Sequence, residues 1–254
     1  MADEILYRVE NHVAHVTLNR PERHNALSIA MRGRWRDVLN EINRDPEVRC
    51  AVLSGAGDKA FCTGLDLKEV ADRDAAGKKR VQTPALPPMP QKPMVAAIHG
   101  WCLAGGFEMS MMCDIRVASI ASTFGLPEVK RCLIPAQAVN LLAGLIPRGE
   151  AAYLVLTGET IDAHKALAIG LLHKILPDRE QTLAEALRIA TAIAAGAPLA
   201  VQTAKKVLMA NSGVATEFGY RMSLEALHRV QASEDAKEGI RAFTEKRPPR
   251  WTGR

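Results

Sequence analysis

Short apolar runs separated by polar and glycine-rich breaks occupy the first half of the chain, and long stretches of helical periodicity occupy the second. Ile5–Val9 and Val13–Leu18 flank Glu10-Asn11-His12 and predict a hairpin, with His12 in its loop and His15 on a strand surface. Met31, Trp35, Val38, Leu39 and Ile42 recur at helical spacing between Ser28 and Arg44, and Ser28 is a ready N-cap. Val48–Leu53 predicts a buried strand that Gly55-Ala56-Gly57 ends. Met94–Ile98 predicts another, broken by His99-Gly100. Ala104-Gly105-Gly106 then opens a helix through Phe107 to Met112. Asp114–Ala118 alternates as a strand, and Ser122–Pro127 turns the chain toward Glu128. Residues 71–91 are polar and then proline-rich, and read as a mobile helix and loop beside a pocket. From Ala138 the pattern is helical, over Arg179–Ala194, Leu199–Met209, Val214–Val230 and Ser233–Thr244, with a short strand at Leu172–Leu176. Strand-strand-helix units therefore come first and a helical tail last.

Composition narrows the class. The chain has 254 residues, enough to bury a core as one large domain or a domain with an appendage. Its 48% apolar and 24% charged residues are ordinary for a soluble globular protein. The net charge of +5 suits an anionic ligand, but Arg32, Arg34, Arg36 and Arg44 form no continuous comb, which argues against nucleic acid. Lys78-Lys79-Arg80 reads as a solvated run. Cys50, Cys62, Cys102, Cys113 and Cys132 are odd in number and unpaired in sequence, as expected of reduced, buried thiols. Seven scattered histidines, no two at ligand spacing on one helix, imply no metal site. With no signal peptide and no membrane-length apolar run in view, the expectation is a cytoplasmic enzyme that needs no membrane.

The candidate chemistry lies between Lys92 and Glu128. A helix that starts on glycines offers unshielded N–H groups to developing negative charge, which is the raw material of an oxyanion hole. Two glutamates, Glu108 and Glu128, follow within that stretch. On spacing alone, either also reads as a solvent-facing or ion-paired carboxylate.

The segment Lys92–Gly100, followed by Ala104-Gly105-Gly106-Phe107-Glu108 and Met112-Cys113-Asp114-Ile115, resembles the crotonase (enoyl-CoA hydratase/isomerase) superfamily. Ser54–Lys68 resembles the second signature of that family, and the likeness runs from Leu18-Asn19-Arg20-Pro21 to Glu245-Lys246-Arg247. The resemblance implies an α/β fold: a crotonase-like spiral of ββα units over residues 1–195, holding the active site. It further implies a helical C-terminal region, 196–254, that packs trimers, often paired into hexamers, and completes a CoA pocket. It places catalytic roles on Glu108 and Glu128 and oxyanion-hole amides at Leu65 and Gly105. Substrate contacts are expected from Arg23, Ala26, Gly64, Asp66, Leu67 and Lys68, and from Phe243 and Lys246 on the terminal helix. The implied reaction is reversible syn hydration of a 2-enoyl-CoA, with no cofactor beyond the coenzyme A carried by the substrate. Dehydration of a specialised thioester such as carnitinyl-CoA, isomerisation and thioester hydrolysis are the alternatives within the family. One departure stands out: Ala136-Gln137-Ala138-Val139 follows Ile134-Pro135 where typical hydratases are glycine-rich. The replaced glycines are expected to border the acyl pocket.

Overall fold

The computed structural model of the chain describes residues 3–77, 89–211, 224–225, 228, 231–247 and 249–250. The predicted helix at Val214–Val230 falls almost wholly outside these, as does the run Lys78-Lys79-Arg80. The first unit is the hairpin β1 (Ile5–Glu10) and β2 (Val13–Leu18), in register from Ile5 opposite Leu18 to Glu10 opposite Val13, followed by α1 (Ile29–Arg44). Ser28 caps α1 as predicted, its side chain accepting from the Met31 N–H. Three further units repeat the theme. β3 (Cys50–Gly55) and β4 (Ala60–Cys62) lead into α2 (Leu67–Ala75), and β5 (Met94–Ile98) and β6 (Trp101–Leu103) lead into α3 (Gly105–Met111). β7 (Ile115–Ser119) and β8 (Thr123–Gly125) lead into a 3-10 turn, Pro127–Arg131, and then α4 (Ala138–Leu145). After α5 (Arg148–Thr157) come β9 (Thr160–Asp162), α6 (Ala163–Ala168) and β10 (Lys174–Leu176). α7 (Arg179–Ala194), α8 (Pro198–Asn211) and α9 (Glu234–Thr244) follow.

The hairpin keeps both strands in one sheet, and each of the three following units splits its two strands between two sheets. The larger runs β1-β2-β3-β5-β7-β10 and the smaller β4-β6-β8-β9. Apart from β1 in the first and β9 in the second, neighbours are parallel. The chain thus winds as a spiral, one step along both sheets per turn. The corner between β5 and β6 shows why glycine is needed there. Gly100 has φ +55°, and a Cβ would lie 2.0 Å from the Lys59 carbonyl oxygen.

The large sheet is covered on both faces, so its strands read as unbroken apolar runs rather than alternating ones. Alternate residues still divide by face. Ala51, Leu53, Met94, Ala96 and Ile98 join α1 in one core, while Cys50, Val52, Val95, Ala97 and Val117 meet α7 in a second. α7 approaches through Ala186, Ala190 and Ala194, small residues at four-residue spacing. The structure begins the third strand at Cys50 instead of Val48 and carries it to Gly55, because its pairing with β2 runs through Gly55 opposite Leu18.

Candidate active site

Three successive turns of the spiral deliver their groups to one place. β4, β6 and β8 lie side by side and parallel, with Cys62 opposite Cys102 and Leu103 opposite Gly125. The residues just past their C-terminal ends are Leu65, Gly105 and Glu128. Ligand sites in open α/β sheets favour this end of parallel strands, where loops and helix starts converge. All three residues line a cavity of about 650 Å³.

The two amides are set by packing. Neither the Leu65 nor the Gly105 N–H meets a backbone acceptor among the described residues. Leu27 pairs with this corner, its N–H donating to the Gly64 carbonyl at 2.7 Å and its carbonyl accepting from Asp66 at 3.1 Å. Gly64 has φ +85°, and a Cβ there would sit 2.5 Å from Ala104 Cβ and 2.9 Å from the Gly105 nitrogen. The two donor segments therefore touch, and only glycine lets them. Ala104, the residue before α3, holds φ +49°, a strained conformation for an alanine of the kind that clusters at functional sites. Behind it, a Cβ on Gly106 would overlap the Cys62 carbonyl at 2.3 Å, so α3 lies directly on β4.

Glu108 projects from α3 into the cavity and Glu128 from the 3-10 turn after β8. Glu108 Oε1 accepts from the N–H groups of Gln137 at 2.8 Å and Ala138 at 3.0 Å. Burial raises the Glu108 pKa, and those two hydrogen bonds oppose the rise. Glu128 is pushed up to about 8, first by burial and then by the charge on Glu108, against a smaller opposing pull from Arg131. Its Oε2 is buried and has no hydrogen-bond partner among the described residues. Both carboxyl groups are raised by burial, but fixed amides oppose the rise at Glu108, while Glu128 is raised further by the Glu108 charge. A base and an acid can thus face the same small volume.

Of the residues expected at the site, Leu65, Gly105, Glu108, Glu128, Arg23, Ala26, Asp66, Leu67, Lys68 and Phe243 all line the cavity. Gly64 lies behind the wall as the contact between the two amide segments. Lys246 is not in the wall; it sits past the end of α9 with φ +54°. The Asp66 carboxylate is engaged structurally, accepting from the Glu69 N–H at 3.2 Å to cap α2 and pairing with Arg20 at 3.0 Å. Ala136 and Gln137 do border the cavity, as expected of the segment that replaces the glycines. Their neighbourhood adds the two amides that hold Glu108, a role reading the side chains misses because the donors are main chain. Arg131 was also missed. It stacks on the Phe243 ring at 5.0 Å, tying α9 to the turn that carries Glu128. Its place three residues after Glu128 was the available signal. The buried Asn25 is a third omission: it binds the Ala56 and Ala60 carbonyls and the Arg20 N–H, so it holds the loop bearing Arg23. Among the described residues no three His, Cys, Asp or Glu side chains gather as metal ligands.

Comparison with known proteins agrees with this architecture. The chain is 38% identical to (E)-benzylidenesuccinyl-CoA hydratase of Thauera aromatica, over 98% of this chain and 99% of that one. It is 34% identical to 2,3-dehydroadipyl-CoA hydratase of Escherichia coli, over 99% of each. The crystal structure of a carnitinyl-CoA hydratase from Mycobacterium avium superposes with a TM-score of 0.88 at 37% identity, covering 100% of both chains. A family model described as enoyl-CoA hydratase/isomerase matches residues 8–254, and the chain belongs to that family.

Proposed function

We propose that this enzyme of enoyl-CoA hydration uses Glu108 and Glu128 as its acid/base pair and the Leu65 and Gly105 amides as its oxyanion hole. Water adds to Cβ of a conjugated thioester only if the charge moving onto the thioester oxygen is held. Two fixed amides at adjacent strand ends suit that demand without reorganising. Glu108, whose Oε1 accepts from the Gln137 and Ala138 N–H groups, orients the water and takes its proton. Glu128 delivers a proton to Cα and takes it back in the reverse dehydration. Both act from one side of the substrate, which makes the addition syn. The observation that carries this reading is the division of labour in the pair: Glu128 raised to about 8 beside a Glu108 satisfied by amides. Two carboxyl groups whose environments push them apart in acidity are the mark of separate acid and base roles.

The carrier is assigned to the cations at the exposed rim, Arg23 and Lys68, with Phe243 beside them. Dehydration of a carnitinyl thioester would use the same groups in reverse, but Arg32 and Arg131 in the wall repel a quaternary ammonium. Trimeric assembly, alone or paired into hexamers, belongs to the same proposal. α5 leaves Tyr153 and Leu156 exposed, and α8 leaves Leu199 and Leu208 exposed, apolar surface that a subunit contact would cover.

The test is loss of absorbance at the enoyl-thioester band on mixing with enoyl-CoAs of graded length, run beside a thiol assay. Hydration bleaches the band and releases no thiol; thiol release without hydration would replace this reading with a thioesterase. Glu108→Gln and Glu128→Gln should each lower turnover by about 10²- to 10⁴-fold with the circular dichroism spectrum intact.

A further inference from the structure

Arg32 is a cation in the cavity wall with no salt-bridge partner among the described residues. It lies on α1, lines the same cavity as Glu108 and Glu128, and forms no hydrogen bond or ion pair with any described residue; its Nε is buried and unpartnered. Its nearest counter-charge, Glu69, has Oε2 occupied by the Ile29 N–H at 2.8 Å. One turn on, Trp35 also lines the cavity, is only 5% exposed, and leaves its indole N–H without an acceptor. Arg32 thus carries a partly desolvated charge in the cavity wall that no acceptor among the described residues offsets, the kind of cost that a ligand's acceptor oxygens relieve at the part of the guanidinium facing the cavity.

We propose that Arg32 and Trp35 form a subsite for a carboxylate carried on the acyl part of the substrate, so that the enzyme acts on enoyl-CoA thioesters bearing a second, free carboxyl group. This deepens the reading of the cavity as an enoyl-CoA site and rests on it. Position separates the subsite from the carrier. The phosphates of CoA are multiply charged and strongly hydrated, and the exposed Arg23 and Lys68 meet that need at the rim. Arg32 is partly buried, three residues before Trp35 on the same helix, and there a single dehydrated carboxylate fits the planar guanidinium. Leu27, whose side chain lies against Gly105 and which pairs with Leu65, leads directly into α1, and Arg32 stands in the first turn of that helix, on the wall of the same cavity.

The experiment compares a six-carbon 2-enoyl-CoA ending in a methyl group with one of equal length ending in a carboxylate, for the native enzyme and for Arg32→Met and Arg32→Lys. Native enzyme should favour the carboxylated thioester in kcat/KM by at least tenfold, mainly through KM. Arg32→Met should erase that ratio, and Arg32→Lys should keep part of it. Calorimetric titration with the saturated pair, hexanoyl-CoA and its ω-carboxyl counterpart, reads the same preference without chemistry. A preference in binding with no hydration would leave the subsite standing and remove the hydratase reading. Native enzyme indifferent to tail charge in both assays, or a loss in Arg32→Met shared equally by the two thioesters, overturns the proposal; the latter would mark Arg32 as a carrier contact.

Discussion

Leu65 and Gly105 reach the cavity as backbone at the ends of neighbouring parallel strands, whereas Glu108 and Glu128 reach it as side chains from a short helix and a 3-10 turn. The amide pair is insensitive to its own side chains and depends on glycine nearby. Gly64 and Gly106 permit approaches that any Cβ would block. The carboxylate pair is the reverse: its residue types are essential, and its chemistry depends on what surrounds them. Two amides hold Glu108, burial and the Glu108 charge raise Glu128, and Arg131, anchored on Phe243, moderates the rise. One half of the site is made by close packing and the other by controlled desolvation.

Gly64→Ala strikes the packed half hardest. The new methyl would meet Ala104 and crowd the Gly105 nitrogen, displacing at least one donor. Turnover should fall by about 10²- to 10³-fold, the usual loss for one oxyanion donor, while the pH profile keeps its shape. A rate within about threefold of native would mean that the amides are not the oxyanion hole. The desolvated half is read by pH. Glu128 must be protonated to act as the acid, so the hydration rate should fall above about pH 8, approaching tenfold per pH unit. Glu108 must be ionised to act as the base, and its raised pKa places the acid limb above the ordinary glutamate range. A rate still flat at pH 10 would leave the pair without its proton donor. The smallest effect is expected at Asp66, which lies at the rim of the packed half. Asp66→Ala removes the cap on α2 and the Arg20 pair, and should cost about 1–3 kcal/mol in urea unfolding. A larger change in KM than in stability would return Asp66 to direct substrate contact.

Much of the fold was legible because its signals are local. The strand Met94–Ile98 and the helix Arg179–Ala194 appear with the predicted bounds, and Ser28 caps the predicted helix. Each rests on periodicity or capping over a few residues. Gly105 and Gly106 were legible as a glycine-led helix start with unshielded amides, although what they packed against was not. The missed groups share one property. The Gln137 and Ala138 amides, Arg131, Asn25, Arg32 and Trp35 acquire their roles from partners, or from the lack of partners, at long sequence separation.

By itself the sequence determined the order of strand-strand-helix units and placed glycines and two glutamates in one stretch, since residue type and spacing are properties of the chain. Tertiary structure alone decided that β4, β6 and β8 are neighbours, so that three loops 20 to 40 residues apart open on one cavity. It also decided how far each carboxyl group is desolvated and which cation in the cavity wall has no salt-bridge partner among the described residues. Pairing between distant strands and the removal of water around a charge are sums over many residues, and no local window contains them.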